Sequence, residues 1–178
     1  MRNITGGFWL ALLVLGGCSS PSALKDTLPR TPPDWTYRKQ AIDLHLKADP
    51  QLNLFHQTPH TLLLCIYHLR DPNPFNQLRD EQDGLQRLLD CGRFDPSVVY
   101  SRRVVIQPGQ ELRESLDRPE GARQIAIAAG YFAMRKEAVT RSFPVPLAEE
   151  RRGEAVAQIP QQLKIELYLG PRELEPPR

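Results

Sequence analysis

Apolar and polar residues alternate without a break over residues 41–48, where Ile42, Leu44 and Leu46 oppose Asp43, His45 and Lys47. A period of two predicts a strand with one face in a core and one in water. The same alternation returns over 162–169, with Leu163, Ile165, Leu167 and Leu169 on one face. Residues 61–69, "TLLLCIYHL", are apolar on both faces and predict a central strand covered on both sides. Between the first two of these in chain order, residues 49–60 open on Asp-Pro and close on Pro59, so they predict a loop. From 71 to 90 the period lengthens. Phe75, Leu78, Leu85, Leu88 and Leu89 recur at helical spacing, with Gly92 as the stop. The apolar stripe of that helix suits the outer face of the strand bearing Cys65.

Further strands are predicted over 97–106 and 123–134, with the turn "QPGQ" at 107–110 and a short segment around Leu112–Leu116. Residues 140–145 predict an edge strand, because Pro144 cannot donate to a ladder. About seven strands, turns between them and one inserted helix describe a mainly β fold, a two-sheet β-sandwich.

The N-terminus changes the picture from a free domain to a held one. The apolar run Phe8–Leu15 is shorter than the ~20 residues that cross a bilayer and matches a signal-peptide core. It leads into Leu15-Gly16-Gly17-Cys18, which resembles the bacterial lipoprotein signal, in which the cysteine is acylated and becomes the new N-terminus. Ser19 in second position resembles the outer-membrane sorting signal. Residues 1–17 are therefore expected to be a signal peptide and Cys18 the lipidation site. Residues 18–34, with Pro21, Pro29, Pro32 and Pro33, are expected to be an extended tether. The sandwich is expected over 35–170 and a flexible tail over 171–178.

Lipidation takes Cys18 out of a count of three cysteines, leaving Cys65 and Cys91 in an oxidising compartment. Two readings stand: a disulfide between them, or two unpaired buried thiols.

Charge adds little. The formal net charge is +2, and basic pairs such as Arg102-Arg103 and Arg151-Arg152 are diluted by Glu149, Glu150 and Glu154, so they are expected to be solvated faces. This balance does not support a nucleic-acid surface. No Gly-rich phosphate loop, Gly-x-Ser-x-Gly elbow or His-Glu-x-x-His motif occurs. His56 and His60 are four apart in a loop closed by Pro59, without the cysteines or paired acids of a metal site. An enzyme, a cofactor and a metal are not expected.

The loop at 49–60 carries the candidate interaction residues. Leu52, Leu54 and Phe55 are more apolar than a simple turn needs. Leu52 and Phe55 either fold back onto the sandwich edge, or the loop docks a partner with Leu54 or Phe55 as its anchor.

The order of the short signatures then resembles a known family. Tyr67 and Leu69 end a strand before a helix led by Phe75; Pro108-Gly109 makes a turn; Gly130, Ala133 and Arg135 precede a strand with Phe143. This order is similar to the type VI secretion lipoproteins of the TssJ (SciN) family. The resemblance implies a transthyretin-like β-sandwich held on the periplasmic face of the outer membrane. It also implies binding to the periplasmic C-terminal region of TssM, in a complex that includes TssL. In that family the loop between the first two strands makes the contact, here through Leu52, Asn53, Leu54, Phe55, His56 and Gln57; Asn53 matches the family's asparagine. Phe143 departs from the tryptophan of many members, and the Cys65–Cys91 pair is not a general family feature. A ligand- or carbohydrate-binding lipoprotein on a similar sandwich is the alternative; it would need a concave aromatic site, and only 7% of residues are aromatic.

Overall fold

A computed structural model describes residues 28–176. The signal peptide, Cys18 and the first part of the tether lie outside the described residues. The chain runs β1 (Arg30–Thr31), β2 (Arg38–Ala48), β3 (Leu62–Leu69), α1 (Asn73–Asp80), α2 (Gly84–Leu88), β4 (Val98–Ile106), β5 (Glu111–Arg118) and β6 (Gln124–Ala129). It continues through α3 (Lys136–Val139), β7 (Thr140–Pro144), β8 (Leu147–Arg152), β9 (Ala155–Pro160), β10 (Leu163–Leu169) and β11 (Leu174–Glu175).

Two four-stranded sheets face each other, ordered β11-β10-β2-β5 and β4-β3-β6-β7. The two alternating segments lie side by side: β10 pairs with β2 in parallel, Leu163 opposite Ile42, Ile165 opposite Leu44 and Leu167 opposite Leu46. Their apolar faces meet Leu62, Leu64 and Ile66 of β3, Ile106 of β4 and Ile125 and Ile127 of β6 in one buried core. The interdigitated inner faces of two sheets are the defining packing of a sandwich. As the double-faced apolar pattern predicts, β3 is central, flanked by β4 and β6. Its other face, with Cys65, Tyr67 and Leu69, forms a second core with Phe75, Leu78 and Leu88 of the helical segment.

That helical segment is broken where one helix was expected. Residues 81–83 interrupt it, and α2 folds back so tightly that a Cβ on Gly84 would lie 1.5 Å from the Leu78 carbonyl oxygen. Only glycine permits this approach. The fold-back lets both short helices lay apolar residues on the sheet, and the Tyr67 hydroxyl donates to the Leu88 carbonyl. Past α2, Cys91 takes the left-handed conformation, φ 54°, that glycine usually supplies beyond a helix end. Its side chain reaches Cys65, and the two form a disulfide with the Cα atoms 5.0 Å apart.

Further elements depart from the sequence expectation, including β11, which pairs with β10 inside the expected flexible tail. The hairpin of β8 and β9 turns at Gly153, φ 63°, and β1 adds to it in parallel, Arg30 opposite Val156. The result is a third, three-stranded sheet ordered β1-β9-β8. All six residues of β8 are exposed, so this strand has no apolar face for a periodicity to reveal. The segment around Leu112–Leu116 is the full strand β5, and β7 lies at a sheet edge as Pro144 requires.

Candidate functional site: an aromatic platform on the loop after β2

The loop at 49–60 is held from below by backbone and carboxylate bonds. Asp49 accepts from the Gln51 amide at 2.7 Å and from the Tyr168 hydroxyl at 2.6 Å. Its amide donates to the Leu169 carbonyl at 2.9 Å. Leu52 is fully buried in the main core, so its apolar character serves folding. Asn53 is also buried, at φ 48°, a backbone region that asparagine tolerates better than most residues. Its side-chain amide donates to the Thr61 carbonyl at 3.0 Å, and its oxygen accepts from the Phe132 amide at 3.0 Å. Asn53 thus ties the loop to the segment after β6. The Leu54 amide donates to the Pro171 carbonyl at 2.7 Å, tying in the C-terminal segment as well.

Beyond Leu54 the loop turns outward. Phe55 and Thr58 exchange two backbone hydrogen bonds, of 3.0 and 2.9 Å, around His56 and Gln57. Both central residues have positive φ, 46° and 63°, as in the type I′ turn that closes a two-residue hairpin. Positive φ costs a residue with a Cβ about 1–2 kcal/mol, so the tip is held rather than relaxed.

The turn presents Phe55, 44% exposed, beside Phe132, 53% exposed. Their rings stack with centroids 4.3 Å apart and planes 18° apart. His56 packs edge-on to Phe55 at 4.1 Å, and His60 edge-on to Phe132 at 5.0 Å. A groove of about 310 Å³ adjoins the rings, with Tyr131, Pro171 and Arg172 on its far side. Tyr131 is buried and its hydroxyl donates to the Glu173 carbonyl at 2.9 Å; burial pushes the phenol well above its usual range. It is a wall, not an acid.

The six loop residues therefore divide. Leu52 and Asn53 are interior, Leu54 is half-buried, and Phe55, His56 and Gln57 face solvent. Phe132 belongs to the same surface although no sequence pattern marked it. Residues 123–134 were expected to be one strand, but β6 ends at Ala129 and the chain bends at Phe132 and Ala133. The available signal was the pair Tyr131-Phe132 directly after Gly130, one ring turned inward and one outward.

The histidines of the loop are ring neighbours of phenylalanines. Among the described residues, no group of three or more His, Cys, Asp or Glu side chains is gathered for a metal. No helix among them is long and apolar enough to cross a membrane.

Comparison with known proteins places this geometry. The family model described as "Type VI secretion lipoprotein, VasD, EvfM, TssJ" matches residues 40–169. The fold is similar to the lipoprotein TssJ1 from Pseudomonas aeruginosa, with TM-score 0.55, 20% identity, and coverage of 79% of this chain and 93% of that one. It is similar to Serratia marcescens Lip, a membrane-bound component of the type VI secretion system, with TM-score 0.56, 21% identity, and coverage of 77% and 95%. It also resembles a chain of a type VI membrane complex, with TM-score 0.52, 18% identity, and coverage of 75% and 95%. Comparison with curated proteins gives no match. The matched segment spans both facing sheets, the disulfide-bonded helical layer and the aromatic platform, and on that basis the chain belongs to the TssJ family of non-enzymatic type VI secretion lipoproteins.

Proposed function

We propose that this lipoprotein is the outer-membrane component of a type VI secretion membrane complex, anchored on the periplasmic face through Cys18. Its sandwich grips the periplasmic C-terminal region of a TssM-like protein, in a complex with TssL. The chemistry is mechanical: acyl chains on one end, protein docking on the other. The observation that carries this reading is the solvent-facing Phe55–Phe132 pair. Stacked rings on a loop hydrogen-bonded at its base are a rigid apolar surface, with little side-chain entropy left to lose on binding.

The topology supports the same division of labour. The strap from the N-terminus enters at the start of β2, and the platform follows its end. Eleven residues of strand hold the two about 33 Å apart. Pull on the membrane end is thus delivered along a hydrogen-bonded strand to the docking end.

Binding to the TssM periplasmic region tests the docking half. Phe55→Ser combined with Phe132→Ser should weaken it by at least tenfold, since central aromatic anchors contribute about 2 kcal/mol or more each. Both side chains are exposed, so the variant should fold; unchanged affinity in a folded variant rejects the platform. Membrane fractionation tests the other half. Cys18→Ser should move the protein from the outer membrane to the soluble periplasm, and persistence in the outer-membrane fraction refutes the anchor.

A further inference from the structure

A second surface lies at the opposite end of β2 from the platform, where the strap enters. A cavity of about 370 Å³ opens there between residues 31–38, β9 and the end of β5. Three arginines line it, Arg38, Arg118 and Arg152, against a single acid, Asp34. Asp34 is engaged locally, accepting from the Thr36 amide at 3.1 Å. Among the described residues, no carboxylate lies within ion-pair distance of Arg38 or Arg118, and Arg152 meets only the exposed Glu150, at 3.2 Å.

Arg118 is the unusual member. It is 3% exposed, a degree of burial that guanidinium groups rarely reach without a carboxylate partner. Nη2 donates to the Thr36 carbonyl at 3.0 Å and Nη1 to the Ala122 carbonyl at 3.4 Å. The guanidinium also lies over the Trp35 ring at 5.1 Å. These contacts fasten the strap, yet none supplies negative charge, and the buried Nε has no acceptor. Arg38 donates Nη1 to the Pro160 carbonyl at 3.1 Å, which leaves its other donors available.

We propose that this cavity binds a phosphate group of the class carried by anionic phospholipid headgroups. A phosphate offers several acceptor oxygens to convergent guanidinium forks, which recognise it through paired N–H donors. One negative charge, held by the free donors of Arg38 and Arg152, would offset the excess cation of the cavity in which the uncompensated Arg118 is embedded. The location favours a headgroup. The strap that forms one wall leads back toward the N-terminus, and it carries two exposed apolar residues, Tyr37 on the cavity and Leu28 further toward the N-terminus. Exposed apolar residues on the strap next to a basic cavity match the headgroup–glycerol boundary of a leaflet.

The test uses the full chain in a neutral maltoside detergent. Calorimetric titrations with inorganic phosphate and with glycerophosphoglycerol, the soluble headgroup of phosphatidylglycerol, are run in chloride buffer. Saturable binding is expected, with the Arg118 Nε–H resonance shifting as the site fills. Arg38→Gln combined with Arg152→Gln should weaken binding at least tenfold, while Arg151→Gln, whose side chain does not line the cavity, leaves it unchanged. Both substituted arginines are exposed, so the result does not depend on disturbing Arg118. Tighter binding of the headgroup assigns the site to lipid; tighter binding of inorganic phosphate keeps the phosphate site and assigns it to the free ion. No saturable binding of either probe, equal binding in the double variant, or an unmoved Arg118 resonance overturns the proposal.

Discussion

Replacing Cys65 and Cys91 together by alanine is expected to lower the unfolding free energy by about 3–4 kcal/mol, the chain-entropy value for a loop of this length. The bridge spans 26 residues and closes the whole helical layer onto β3. Reduction would release more than chain entropy. Cys91 sits with a left-handed backbone at the end of the layer, and its carbonyl accepts from the Ser101 hydroxyl at 2.8 Å. The layer is also attached by Phe75, Leu78 and Leu88 against β3, by the Tyr67–Leu88 hydrogen bond and by Arg103 donating to the Asp90 carbonyl. These should keep the variant folded but let α1 and α2 open first, with hydrogen exchange fastest there. Denaturant unfolding of oxidised wild type and the double variant checks the size. A loss under 1 kcal/mol would mean that packing alone holds the layer.

The second large effect concerns acid. His68 is 1% exposed, both ring nitrogens lack partners, and Tyr100 packs edge-on at 5.2 Å. Burial disfavours the charged imidazolium and pushes the pKa down from 6.5 to about 4. Arg102, ion-paired with Glu114, lines the same cavity, as do Ser115 and Asp117. Because the folded pKa is depressed, the unfolded chain takes up the proton first. Stability is therefore complete above pH 6.5 and falls as pH drops toward 4, by up to about 1.4 kcal/mol per pH unit and about 3 kcal/mol in all. Glu111 and Asp117, whose pKa values their hydrogen-bond partners hold down, begin to contribute only near and below the ordinary carboxylate range. The interval from pH 6.5 to 5 thus belongs to His68. His68→Phe keeps a ring against Tyr100 and removes the titration, so its stability should be nearly flat across that interval. A variant as acid-sensitive as wild type would place the proton uptake elsewhere.

The two effects act on different parts of the molecule. The disulfide fastens the helical layer on the outer face of β3, whereas His68 lies at the end of the space between the sheets, near the Arg102–Glu114 pair that links β4 to β5. Their contributions should be additive, because they share no partner.

The sequence by itself determined the parts whose signal is local. The period of two in β2 and β10 and the two apolar faces of β3 follow from which neighbouring side chains can be buried together, and the edge position of β7 from the N–H that Pro144 lacks. The lipoprotein family was legible from the order of short signatures, whereas the two readings of Cys65 and Cys91 were separated only by the fold, which brings their Cα atoms to 5.0 Å. What only the tertiary structure decided depends on residues far apart in the chain. The β8–β9 hairpin has no apolar alternation, and only its addition of β1 completes a sheet. The break before Gly84 accompanies a fold-back onto the Leu78 carbonyl that only a residue without a Cβ permits, and the apolar stripe keeps helical spacing across it. Within the loop, Leu52 and Phe55 look alike as apolar residues. One is buried and the other exposed because Asn53 fixes the backbone between them, and its oxygen is held by the amide of Phe132, 79 residues away. Pattern measures how buriable a residue is; which face it takes is settled by the partners that the fold brings to it.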